Sequence, residues 1–323
     1  MKIQNLLAQA MLPMSILALV ALAPLDAIAK PAAPSKIPGT AVQIAPPEGF
    51  QPSKLFLGFE QQQTGASIFV TELPIPKAEV PKVLEKLNST ADLQSRGMRL
   101  IESQEITVGS IPGKLLLVSQ SNRGIDFLKW LMVVAQGDRV LIVTASFPED
   151  EAAKLKEPLR QSVIGLTWSP GQPAQLLEGL PFTFQPAGDL QVSGRVSNNV
   201  VLTRNGMKAP IPASEPLLIL GSAYDTVRIR DVAKFSRMRL KALPQVRDLT
   251  EVSGNSKTIA GHPAFELVAR GYDRKTNTPL TVYQAILATK RTYYVLEGLV
   301  PNPKAKAYLP IFRAVADTLV PQL

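Results

Sequence analysis

The sequence predicts an α+β protein of two tandem α/β/α-sandwich domains, each a mainly antiparallel sheet with a mid-chain helix and a C-terminal helix. Three observations predict it. Trp130 to Leu166 lies over Tyr283 to Leu319 at one constant offset, with Pro148 on Pro301, Arg160 on Arg313 and Leu166 on Leu319. Upstream, Val108-Gly-Ser-Ile-Pro112 matches Ile259-Ala-Gly-His-Pro263, and Phe50-Gln-Pro52 returns as Phe184-Gln-Pro186. Within each half, strand-like apolar runs on short turns are interleaved with segments of helical spacing. Identity between the halves is low, so the order of the elements matters more than the residues.

The chain opens with Lys2 ahead of an apolar run from Met11 to about Leu25 that ends in Ala27-Ile-Ala29, the small-x-small pattern of a cleavage site. Pro13 and Pro24 interrupt this run, and it is shorter than the ~20 residues of a membrane span, which favours a cleaved signal peptide over an uncleaved anchor. A leader over 1–29 and an extended, proline-rich tail over 30–38 are expected, with export to the periplasm or a comparable extracytoplasmic space. There is no cysteine. That removes disulfides, thiolate chemistry and the modified cysteine of a lipoprotein, and it favours a bacterial envelope protein that relies on its core alone. The first domain is expected over 39–168 and the second over 176–323. Ser169-Pro-Gly-Gln-Pro-Ala-Gln175 is the linker between them.

In the first domain, Ala66 to Leu73, Lys114 to Ser121, Asp126 to Ala135 and Arg139 to Phe147 read as strands. The last three form an antiparallel meander, closed by Gln136-Gly-Asp138 as a tight hairpin. Val80, Val83, Leu84 and Leu87 recur at helical spacing, as do Leu155, Leu159, Val163 and Leu166. Glu149-Asp-Glu151 sits where a helix N-terminus welcomes negative charge, and Pro158 is expected to restart or kink that helix, as is Pro310 in the second domain. The second domain carries an insertion at about 187–217. It reads as a hairpin from Val192 to Thr203 and an irregular loop from Asn205 to Pro212, with Met207, Lys208 and Ile211 as contact candidates. Such a loop either binds a partner or fills the groove between the domains.

The early strand pair after Pro47-Glu-Gly-Phe50, the mid-domain helix, the Gly109-Ser-Ile-Pro112 turn into the meander and the closing helix together resemble the Mog1/PsbP-like superfamily, which includes DcrB-like envelope proteins. The resemblance covers both halves, once each. It implies a non-enzymatic accessory role and supplies no site residues, because the superfamily is defined by shape.

Few residues here could carry chemistry. His262 is the lone histidine, in a turn where the first domain has Ile111, so no Ser-His-Asp triad is expected. With one residue in total of the Cys and His types, a zinc site is not expected. Gly194, Gly206 and Gly221 are spaced as turn residues and lack the strand-to-helix context of a nucleotide loop. No oxygen-only calcium loop is found. Glu149-Asp-Glu151 reads as a solvated turn and Asp225 as an ordinary residue at a helix start. No catalytic residue, metal or cofactor is assigned.

Charge is the asymmetric feature. Residues 30–170 hold fifteen Lys and Arg against fourteen Asp and Glu, and residues 171–323 nineteen against eleven, net charges of +1 and +8. A helix from about Val227 to Leu243 would place Ile229, Val232, Ala233, Leu240 and Leu243 on one side, and gather Arg230, Lys234, Arg237 and Lys241 within about 60° as one basic stripe. The stripe is either a surface for something acidic or a solvated helix face. Read as a surface, it fits an anionic envelope polymer, a lipid headgroup reached by peripheral membrane contact, or an acidic protein. Nucleic acid is disfavoured by the leader and by the lack of interleaved aromatics. The functional expectation is a non-catalytic exported accessory or adaptor protein engaging an anionic partner through its second domain. The alternative is an envelope hydrolase or small-ligand-binding protein with its site in the interdomain cleft.

Overall fold

The computed structural model describes residues 33–122, 124–170 and 175–322. The expected leader over 1–29 lies outside them, as do 30–32 of the tail and 171–174 of the linker. The chain divides into two compact units between Gly179 and Leu180. Glu178 belongs to the first unit, where it accepts from Lys36 Nζ at 3.0 Å and from the Gly39 amide at 3.2 Å.

The first unit opens with β1 (Ser35–Lys36) and β2 (Val42–Ile44), which form a small sheet with β10 (Thr167–Trp168). Its main sheet contains β3 (Gln51–Pro52), β4 (Gly58–Gln61), β5 (Ala66–Pro74), β6 (Met98–Val108), β7 (Ile111–Asn122), β8 (Ile125–Gln136) and β9 (Arg139–Pro148). The spatial order is β3-β4-β5-β9-β8-β7-β6, with every pairing antiparallel. Helix α3 (Ala152–Ile164) buries Leu155, Leu159 and Val163 against Leu115, Leu117, Trp130 and Met132 on one sheet face. The helices α1 (Val80–Asn88) and α2 (Thr90–Ser95), with Val83, Leu87 and Leu93 buried, cover the other.

Two expectations are corrected here. The meander has four strands, since β6 precedes the expected three. Its half-buried positions include Glu102 and Gln104, which meet Lys156 at 2.9 Å and Arg160 at 3.0 Å on α3. An edge strand with polar side chains at two of its inward positions shows an interrupted apolar alternation. Nor does Pro158 break α3, or Pro310 the closing helix of the second unit. Both prolines are exposed, and the residues four positions earlier, Lys154 and Lys306, are exposed as well. The carbonyl freed by the missing amide therefore lies on the solvent side, where water can reach it.

The second unit contains β11 (Phe182–Thr183), β12 (Leu190–Val196), β13 (Asn199–Arg204), β14 (Leu217–Ser222), helix α4 (Val232–Lys241), β15 (Val246–Ile259) and β16 (His262–Asp273). It closes with β17 (Pro279–Ala288), β18 (Tyr293–Pro301), helix α5 (Ala305–Asp317) and β19 (Val320–Pro321), the last paired with β11. The seven-stranded order β12-β13-β14-β18-β17-β16-β15 repeats that of the first sheet place for place. Between α3 and α5 the shift is 153 residues, from Ala152–Ile164 to Ala305–Asp317, and the same shift carries β10 onto β19. Tyr308, Phe312 and Val315 of α5 pack on Tyr283, Ala285 and Leu296, while Leu240 of α4 and Leu243 pack on Phe265, Leu267 and Val282 of the opposite face.

The hairpin expected from Val192 to Thr203 is β12 and β13, in the places that β3 and β4 hold in the first sheet. What is long is the connection that follows, residues 205–216 before β14 against 62–65 before β5. Of the three glycines read as turn residues, only Gly206 (φ 69°) is in a turn. Gly194 lies in β12 beside a register shift, and Gly221 lies in β14, where a Cβ would stand 2.1 Å from Asn199 Oδ1.

Candidate functional site

Helix α4 begins five residues later than expected. Asp231 caps it, its Oδ1 accepting from the Lys234 amide at 2.9 Å, whereas Asp225 lies in the preceding loop and accepts from the Thr226 amide at 2.6 Å. The Val227 amide donates to the Arg291 carbonyl at 2.8 Å, which holds this stretch on the β17–β18 turn instead of in a helix. Replacing Asp231 with Ala is expected to cost about 1 kcal/mol, read as a melting point about 3 °C lower.

Arg230 is therefore outside the helix, exposed just before its cap, and the expected four-residue stripe is not one helix face. Lys234, Arg237 and Lys241 do lie on the outer side of α4 and are exposed. Arg237 is occupied: it makes a bidentate pair with Glu251 of β15, at 2.9 and 3.0 Å, and its guanidinium lies 4.8 Å from the Phe265 ring centre. Lys234 and Lys241 form no ion pair among the described residues. Between them, one turn from each, Met238 is 59 % exposed. Arg239 turns inward, donating to Tyr293 Oη at 2.8 Å and to buried Glu297 at 3.4 Å. Gln284 below the helix donates to Ser236 O at 2.8 Å.

The three loop candidates separate. The Met207 carbonyl accepts from Thr203 Oγ1 at 2.8 Å, and Lys208 Nζ donates to Ser193 O at 2.6 Å, so both fasten the 205–216 connection to its own hairpin. Ile211 is buried and lines a cavity of about 480 Å³ on the α4 side of the sheet. In the first unit two helices cover this face, whereas here the single helix α4 and the connection share it. The floor is Leu217, Leu280 and Leu299 of the sheet, with Ile211 over them from the connection; Arg274 and Lys275, from the β16–β17 turn, stand at the rim.

The acids at this cavity are occupied. Glu215 Oε1 accepts from Arg204 Nη2 at 2.9 Å and from Lys304 at 3.2 Å, while its Oε2 lies 2.9 Å from Arg204 Nε as an ion pair without a hydrogen bond. Partial burial pushes the Asp273 carboxyl up, but hydrogen bonds from the Thr276 and Lys275 amides and the Thr276 hydroxyl outweigh it and hold its pKa below the ordinary value. Arg274 donates to the Pro244 and Val246 carbonyls at 3.1 and 3.3 Å, bonds that fix the guanidinium and leave its charge in place. Neither Arg274 nor Lys275 has an acidic partner among the described residues. Leu217, Leu280, Leu299, Arg274 and Lys275 were not legible as a group because they come from separate strands and a turn.

The other buried acids are also tied: Glu72 to Arg139 at 3.2 Å, and Glu266 to Arg313 at 2.8 Å. His262 begins β16 opposite Ile259. Among the described residues no cluster of acids and histidine could hold a metal ion, and no helix is long and apolar enough to cross a membrane.

No family model and no curated protein matches this chain. Comparison with solved structures finds only low similarity. The crystal structure of LpqN, involved in cell envelope biogenesis of Mycobacterium tuberculosis, is 18 % identical, with 47 % of this chain and 85 % of that one covered and a TM-score of 0.33. The solution structure of cyanobacterial PsbP (CyanoP) from Synechocystis sp. PCC 6803 is 11 % identical over 46 % of this chain and 99 % of that one, with a TM-score of 0.30. The apo structure of the type VI secretion immunity protein TplEi from Pseudomonas aeruginosa is 11 % identical over 88 % of this chain and 95 % of that one, with a TM-score of 0.35. At these values none of them assigns a family or an activity to this chain.

Proposed function

We propose that the chain is an exported, non-catalytic accessory or adaptor protein, two Mog1/PsbP-like units of which the second engages an anionic partner: an envelope polymer, a lipid headgroup or an acidic protein. The observation that carries this reading is the outer face of α4. Lys234 and Lys241 flank the exposed Met238, have no acidic partner among the described residues, and follow an exposed Arg230. Cations around a protruding thioether suit a surface that attracts acid at long range and then buries apolar area on contact. Residues 171–323 also hold a net +8 of the chain's +9.

The test is the triple variant Arg230→Gln, Lys234→Gln, Lys241→Gln, compared with wild type for sedimentation with vesicles rich in anionic phospholipid and for retention on acidic envelope polymer. Three lost cations near an anionic surface remove about 3 kcal/mol of attraction. Binding is expected to fall more than tenfold to at least one of these targets while the melting point is unchanged. Undiminished binding of the triple variant would reduce the helix face to solvated charge.

A further inference from the structure

We infer that the cavity beside α4 is a binding site for a single-chain amphiphile, an acyl or alkyl chain carrying a carboxylate or phosphate head. At about 480 Å³ it has the size of a small-ligand pocket. Its floor is aliphatic, and it exists because the second unit lays one helix of ten residues on a sheet face that the first unit covers with helices of nine and six. Leu217, Leu280 and Leu299 share this face through the pairings Leu217–Leu299, Leu299–Val282 and Leu280–Pro301. Ile211 closes the cavity from the 205–216 connection, which the Arg204–Glu215–Lys304 pairs hold in place.

Charge selects the head group. Of the two carboxylates at the cavity, Glu215 is paired with Arg204 and Lys304, and Asp273 keeps its charge while its Oδ1 is taken up by the turn that follows it. The two cations at its rim form no ion pair among the described residues: Arg274 is oriented by the Pro244 and Val246 carbonyls and Lys275 is exposed. An apolar floor under a rim where two cations face one carboxylate fits a molecule with an apolar tail and one anionic end. A neutral amphiphile would fill the floor and leave the rim unused, and a multiply charged polar ligand would desolvate against leucines. This inference rests on the cavity alone, apart from the α4 reading.

The test is calorimetric titration of the purified protein with decanoate, decyl phosphate and uncharged decyl maltoside, each below its micelle concentration. One-to-one saturable binding of decanoate, decyl phosphate or both is expected, at least tenfold tighter than decyl maltoside; preference between the two anions identifies a fatty acid or a phosphate-headed lipid as the source. Lys275→Glu, an exposed change, should weaken binding at least tenfold, and Ile211→Trp, which fills the cavity, should abolish it. Far-UV circular dichroism confirms that each variant is folded. Absence of saturable binding, equal affinity for the uncharged amphiphile, or full affinity in a folded Lys275→Glu variant would overturn the site.

Discussion

Replacing Glu266 with Leu is expected to destabilise the second unit by about 3 kcal/mol, a fall of about 10 °C in its melting transition. Glu266 lies on β16 beneath α5 with a side-chain exposure of 8 %. One oxygen accepts from Arg313 Nε at 2.8 Å; the other accepts from Tyr283 Oη at 3.2 Å and stands 3.8 Å from Lys257 Nζ, which also meets Asp317 at 2.5 Å. Removing the carboxylate leaves the fully buried Tyr283 hydroxyl without its acceptor and two cations without their shared counter-charge. Arg313 and Lys257 are partly exposed and regain some water, which keeps the loss near the lower end for a broken buried pair. Burial first, and the Glu266 charge second, push the Tyr283 phenol far above its ordinary pKa. Tyr283→Phe, which removes one neutral donor, should cost about 1 kcal/mol. Trp130 and Trp168, the chain's two tryptophans, both lie in the first unit. Under urea, the loss should therefore appear in the circular dichroism transition while the tryptophan fluorescence transition stays in place. Coincident shifts of both, or no shift, would contradict it.

Raising the pH from 8 to about 10.5 is expected to stabilise the first unit by up to about 3 kcal/mol. Lys129 on β8 faces the side covered by α1 and α2, with Gln120 Oε1, 2.5 Å from Nζ, as its hydrogen-bond acceptor. Burial lowers its pKa from 10.5 to about 8. The folded state therefore disfavours the ammonium, and the cost is fully present below pH 8. As the pH rises from 8 to 10.5 the folded state has released its proton and the unfolded state has not, so stability climbs through that window. The second unit, which holds all six tyrosines, should move the other way. Burial pushes Tyr224, Tyr294 and Tyr308 up to about 12, so stability is lost above pH 10 as their unfolded forms ionise. Tryptophan fluorescence melts at pH 7.5, 9 and 10 read the first unit directly. Lys129→Met should be more stable than wild type at pH 7.5 and lack the rise; a flat wild-type profile would contradict the buried ammonium.

Much of the architecture was legible because the pattern that builds a sheet is local. The strands from Ala66, Lys114, Asp126 and Arg139 were readable as apolar runs, and the shift from Trp130 to Tyr283 carried the closing half of one unit onto the other. Where the pattern failed, polar groups had taken apolar places. Glu102 and Gln104 hid β6, and the basic run from Arg228 onward disguised the start of α4, which depends on the single side chain of Asp231 and on a backbone bond from Val227 to the distant Arg291. The site was less legible still. Spacing placed Lys234, Arg237 and Lys241 on one helix face, but spacing contains no information about Glu251, which neutralises Arg237 from another strand. Ile211 was named from its loop alone; the leucines beneath it and the cations at the rim meet only through the pairing of β14, β18 and β17.

The most direct test of the anionic-partner reading is a salt titration of capture, in which purified wild type and the Arg230, Lys234 and Lys241 glutamine variant are presented in parallel to envelope extract and to anionic and neutral vesicles. The account predicts capture of wild type at low salt on an anionic target, fading as ionic strength rises and the Debye length shrinks below about 10 Å, with little capture of the variant. Equal capture of both proteins, or capture of wild type that does not respond to salt, would contradict it.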